Sequence, residues 1–193
     1  MTTLSREYRR ELERVIIEAR RVGENGATKA LKALAIDHHE PLTGSSKEQR
    51  ELRNRLRAHG RQVGDKLDPK RGTQTISHLA SEVAYEHWHR MLFARFLAEN
   101  NVLVEPESGV ALSLEECQEY AREKRVDWVE LASSFAVKML PQIFRADDPV
   151  LEVSLPPETR KRLEELLESL PSEVFAADDS LGWVYQFWQS ELK

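Results

Sequence analysis

From Met91 to Ala98 the chain reads Met-Leu-Phe-Ala-Arg-Phe-Leu-Ala, apolar on nearly every side of a helix, inside a longer helical stretch from about Thr75 to Glu99. A helix that is apolar all round has no face to give to water, so other helices must enclose it. The stretch begins amphipathic, and its second half is predicted to be the most buried part of the molecule. Leu4, Tyr8, Leu12, Val15, Ile16, Ala19 and Val22 recur at three- and four-residue steps and fall within one third of a helix circumference. No strand-like alternation persists beyond Leu151 to Leu155. These patterns predict an all-α, bundle-like fold of about seven to eight helices with a long buried central helix.

Punctuation sets the expected boundaries. Gly23 and Gly26 are read as the end of the first helix, with a short helical stretch from about Thr28 to Ala35 after them. Ser45 or Ser46 caps a helix from about Lys47 to Leu67, which carries Leu52, Leu56, Val63 and Leu67 on one side and stops at Asp68-Pro69 and Gly72. Asn100-Asn101 and the Pro106/Gly109 loop close the central helix. Ser113, three residues before Glu116, has the spacing of a capping box. One or two helices then run to Phe144, with Pro141 forcing a kink or break, and Asp147-Asp148-Pro149 reads as a loop. Pro156-Pro157 opens a helix to about Leu170, and Asp178, Asp179 or Ser180 starts the last one.

With 193 residues, 40% of them apolar, the chain can bury one real core. No segment has linker character, and 1–193 reads as a single helical domain. No apolar run approaches the ~20 residues of a membrane span, and Met1 to Arg6 lacks the apolar core of a signal peptide, which points to a cytoplasmic protein without membrane contact. A lone cysteine, Cys117, excludes an internal disulfide and a Cys-rich zinc site; with Glu115, Glu116 and Glu119 around it, its thiolate is disfavoured. The net charge of -5 hides a polarity: residues 1–72 carry 17 Lys/Arg against 11 Asp/Glu, a net +6, and residues 73–193 carry 11 against 22, a net -11. Such asymmetry suggests a polyanion-facing first third on an otherwise acidic molecule.

Few residues offer chemistry. His87 and His89, two apart on a helix, point about 200° away from each other and cannot share an ion. Glu86-x-x-His89 is one step of a kind that di-iron bundles need twice. Gly23-Glu24-Asn25-Gly26 lacks the strand and the Lys-Ser/Thr of a phosphate loop. No catalytic residue, metal ligand or cofactor-binding residue is therefore assigned. Arg50, Arg53, Arg57 and Arg61 fall within about 80° on their helix and can lie along a phosphate backbone as a weak, non-specific DNA contact. Arg95 sits on the apolar side of the central helix and needs a carboxylate or carbonyl partner, so its expected role is to tie helices together. Trp183, Tyr185, Phe187 and Trp188 cover more than one side of the last helix, so part of that helix is expected to pack on its own core and part on a neighbour.

Two segments carry a resemblance. Ala84, Tyr85, Trp88, Arg90, Arg95, Phe96 and Asn100 on the central helix, and Leu181-Gly182-Trp183-Val184-Tyr185-Gln186-Phe187 near the end, resemble the N-terminal helical region of BREX-type (PglX-like) and related type IIG adenine-specific DNA methyltransferases. His87 and His89 stand where that pattern has an aromatic and an Asn. The resemblance implies a parent protein that is an S-adenosylmethionine-dependent adenine-N6 methyltransferase of a restriction-modification or phage-defence system. This chain would be its N-terminal portion, without the methyltransferase domain and not itself catalytic, contacting DNA or defence-system partner proteins. Its one Pro-Pro, Pro156-Pro157, is followed by Glu158 and not by the aromatic that would grip a flipped adenine. A free-standing helical adaptor is the alternative reading.

Overall fold

The computed structural model describes residues 3–143 and 148–190. Among them run α1 (Arg6–Ala33), α2 (Lys47–Gln62), α3 (Ser77–Glu99), β1 (Leu103–Val104), β2 (Ala111–Leu112), α4 (Leu114–Lys124), α5 (Trp128–Met139), a 3-10 turn (Pro149–Glu152), α6 (Pro157–Glu168), α7 (Ser172–Ala176) and α8 (Ser180–Ser190). The fold is all-α with a long central helix. The strands are two residues each and antiparallel, pairing Leu103 with Leu112 and Val104 with Ala111. The Leu151–Leu155 stretch, the best strand candidate by pattern, begins within the 3-10 turn.

Local capping set several boundaries. Ser46 accepts from the Gln49 amide at 3.2 Å while the Gln49 side chain accepts from the Ser46 amide at 2.9 Å. Ser113 and Glu116 make the same reciprocal pair. Asp127 accepts from the amides of Val129 and Glu130 to start α5. α2 stops at Gln62, short of the expected Leu67, because Gly64 takes a φ of +116° and the Asp65 amide turns back to the Gly60 carbonyl. α5 ends at Met139, before Pro141; Phe144 and Asp147 lie outside the described residues.

The first helix departs from expectation. α1 runs unbroken through Gly23 and Gly26 to Ala33, and no second helix starts at Thr28. Both glycines serve close approach. A Cβ at position 23 would stand 3.1 Å from the Ala84 Cβ; one at 26 would stand 2.8 Å from the Thr159 Cβ and nearer still to its branch atoms. The actual stop is Ala35, left-handed at φ 52°, with the Ile36 amide bonding Leu31 O and the Ala35 amide bonding Lys32 O. This is the Schellman arrangement with alanine where glycine is usual. Asn101 ends α3 and Arg125 ends α4 in the same way.

The chain divides into two compact units: Met1–Ala19, Trp88–Ala146 and Arg162–Lys193 in one, Arg20–His87 and Asp147–Lys161 in the other. Three of the four divisions fall inside α1, α3 and α6, so no change of composition marks those in the sequence. In the first unit, Ala94, Leu97 and Ala98 of α3 pack with Leu103, Cys117, Ala132, Phe135 and Ala136, and Cys117 is fully enclosed. Burial pushes its thiol up to about 11, which leaves it protonated near neutrality. In the second unit the buried face of α2 is Arg53, Leu56, Arg57 and Gly60, two arginines among four positions.

Candidate nucleic-acid interface

The two arginines inside the second unit decide how its charge is displayed. Arg53, 5% exposed, donates Nε to Ala35 O at 3.0 Å and Nη2 to His38 O and His39 O at 2.6 and 2.9 Å. Arg57, 9% exposed, donates Nη1 to Ile36 O at 2.6 Å and to His38 O, and Nη2 to Gly72 O at 2.8 Å. Burial lowers the pKa of both, and for Arg57 the neighbouring Arg53 and Arg61 lower it further; a guanidinium stays charged through such a shift. What makes the burial tolerable is where the donors point. Ala35, Ile36 and His38 follow the C-terminus of α1, whose partial negative charge favours a cation.

Of the four arginines expected along a phosphate backbone, two therefore turn inward onto main-chain oxygens. Arg50 and Arg61 remain exposed, Arg50 on Ser45 O at 2.9 and 3.0 Å and Arg61 on Gln74 Oε1 at 3.0 Å.

Arg57 also grips the connection between α2 and α3, which carries exposed positive charge. Leu67 and Gln74 form an antiparallel bridge, the Asp68 amide donates to Thr73 O, and the Lys66 and Thr75 segments exchange hydrogen bonds. Asp68 Oδ1 accepts from the amides of Lys70 at 2.9 Å and Arg71 at 3.3 Å, which folds the tip. Gly72, at φ +68°, has the His39 ring so close that any Cβ there would collide with it. Asp65 turns inward to cap α3, accepting from the amides of His78 at 3.1 Å and Leu79 at 3.0 Å and from Thr75 Oγ1. With Asp65 spent on the helix and Asp68 on the tip, the exposed charged side chains of the connection are Lys66, Lys70 and Arg71. Sequence reasoning took this segment only as a helix stop; its signal was Lys-Arg-Gly beside an Asp-Pro turn.

In the first unit, Arg95 is 6% exposed and spans α3 and α6: it pairs with Glu99 at 3.0 Å and donates to Leu167 O and to Leu170 O, the latter at 2.8 Å. Its guanidinium lies 4.5 Å above the Phe175 ring. Asn100 Nδ2 reaches Phe175 O at 2.9 Å and Phe96 O at 2.8 Å. The end of α6 is thus closed by a buried arginine from another helix, as the end of α1 is. Along α8, Phe187 and Trp188 are buried. Trp183 is half-buried, with Nε1 on Asp179 at 2.9 Å, Arg9 3.9 Å from its ring centre and Phe187 stacked at 5.4 Å. Only Tyr185 of the four aromatics points outward, at 57% exposure.

Among the described residues no group of three or more His, Cys, Asp or Glu side chains is placed to hold a metal ion. No helix among them is long and apolar enough to cross a membrane. Against protein-family models, curated proteins and solved structures, the chain finds no match.

Proposed function

We propose that the chain is a non-catalytic, nucleic-acid-facing helical domain of an S-adenosylmethionine-dependent DNA adenine-N6 methyltransferase of a restriction-modification or phage-defence system. In this reading the methyl donor and the target adenine belong to the parent's methyltransferase domain, and this chain supplies backbone contact without base readout. The parentage rests on the resemblance carried by Ala84, Tyr85, Trp88, Arg90, Arg95, Phe96, Asn100 and residues 181–187. The observation that carries the contact is the α2–α3 connection, whose backbone is fixed by Arg57 and Asp68 while Lys66, Lys70 and Arg71 face solvent. Cations on a fixed backbone lose less freedom on meeting phosphates than cations on a loose tail.

The test is fluorescence anisotropy of a labelled duplex between about 50 and 200 mM salt. The wild type should bind weakly and lose affinity with salt. Replacing Lys66, Lys70 and Arg71 by Gln together should reduce the log-log slope by about 2.7, near 0.9 per phosphate contact. A duplex bound with unchanged slope by the triple variant removes this connection from the interface; no binding at low salt removes the nucleic-acid reading.

A further inference from the structure

We propose that the solvent face of α1 in the second unit is a further seat for the phosphodiester backbone of duplex nucleic acid, with Lys29 and Lys32 as its charged contacts. The proposal rests on the nucleic-acid reading above and adds a surface to it. Arg21, Asn25, Thr28, Lys29 and Lys32 lie within about 100° around α1 and span about 16 Å along it. With Glu24 they line a shallow open hollow of about 430 Å³. A shallow trough of that length does not encircle a free phosphate. It matches a short run of successive phosphates along one strand.

The balance of charge in the hollow is positive. Its one carboxylate, Glu24, is already engaged, accepting from Arg20 Nε at 2.9 Å and Ser81 Oγ at 2.8 Å. Lys29 meets Glu158 only at 3.8 Å, with both side chains more than half exposed, a pair that gives way readily to a phosphate. Lys32 is exposed in the last turn of α1, and Asn25 is exposed beside it on the stripe with an amide that can donate. The partial negative charge at the C-terminal end of a helix would ordinarily repel an anion here. At this end it is met by the guanidiniums of Arg53 and Arg57, which bond Ala35, Ile36 and His38. Glu40 acts on Arg53 and Asp37 on Arg57, so these charges largely balance at that end and the attraction for phosphate comes from Lys29 and Lys32.

The experiment uses the whole chain, a labelled duplex, and the double variant Lys29→Gln/Lys32→Gln, with circular dichroism to verify its fold; both side chains are exposed, so their replacement leaves the core untouched. The double variant should bind more weakly, with a log-log salt slope reduced by about 1.8, additively with the loss from the Lys66, Lys70 and Arg71 variant. If the loop variant weakens binding and the double variant does not, the α1 seat is overturned and the broader reading stands. If the wild type itself fails to bind duplex at low salt, both fall. If inorganic phosphate shifts the Lys29 and Lys32 resonances while the double variant keeps full duplex affinity, the hollow takes a free anion and the proposal is overturned.

Discussion

A guanidinium can be buried without a carboxylate only where enough oxygens converge on it, and Arg53 and Arg57 meet that condition by closing the end of α1. Arg57 holds Ile36, His38 and Gly72 through three carbonyls in three directions. Replacing it by Met keeps the apolar stem but takes the donor from Ile36 O and Gly72 O, while His38 O keeps Arg53, at a cost of about 2–3 kcal/mol. Arg57→Lys should recover little, because one ammonium lacks the planar fork that addresses several oxygens at once. Urea unfolding of both variants checks this; a lysine variant as stable as wild type would mean that charge alone suffices. Proteolysis within residues 64–75 should rise in Arg57→Met, since Arg57, with the Gln74 amide on Asp37 O, ties this connection to the loop after α1.

At the scale of elements, glycine placement runs opposite to its usual reading. Among the described residues the left-handed helix ends belong to Ala35, Asn101 and Arg125, while Gly23 and Gly26 sit inside α1 where a neighbour presses close. The two uses predict opposite responses. Gly26→Ala should destabilise by roughly 1–3 kcal/mol through collision with Thr159, despite a gain of about 1 kcal/mol in helix propensity. Thr159→Ala should relieve part of that loss by removing the two nearest atoms. Arg125→Gly, at an exposed site with φ 57°, should instead stabilise by about 0.5–1 kcal/mol by releasing left-handed strain. Thermal unfolding of the variants gives the sign directly; a stabilised Gly26→Ala would show that α1 can shift away from Thr159.

Across the whole molecule the titrating groups favour a decline of stability on the acid side. Carboxylates are held below their usual range at Glu11 by Arg14, at Glu152 by Arg55, at Asp179 by the Trp183 indole, and at Glu105 by Ser108 and the amides of Glu107 and Ser108. A lowered carboxylate stabilises above its unfolded pKa and loses that contribution as pH falls through the folded value, here below about pH 4. Glu86 opposes this, raised by burial and then by Asp148 and Glu82, and is outnumbered. His89 adds an earlier step. Burial lowers its pKa, so the unfolded chain binds the proton first and stability begins to drop below about pH 6.5. Urea midpoints between pH 7.5 and 3 should therefore fall in two stages, and His89→Gln should flatten the first alone. A single decline below pH 4 in wild type would contradict the role given to His89.

Whatever a few neighbouring residues can settle was legible in the sequence. Ser46 with Gln49 and Ser113 with Glu116 cap their helices where the spacing places them, because a capping box closes within one turn. The all-α class and the burial of α3 around Met91 to Ala98 follow from an apolar pattern that only enclosing helices can satisfy. The need of Arg95 for an oxygen partner was also local knowledge; that its partners are the carbonyls of Leu167 and Leu170 was not, since more than seventy residues separate them. Gly23 and Gly26 look like helix stops until Ala84 and Thr159 are seen against them. Arg53 and Arg57 share a stripe with Arg50 and Arg61, and nothing within α2 says which of the four faces water. Tertiary structure decided that by bringing the loop after α1 over two of them, where its main-chain oxygens take donors from another helix.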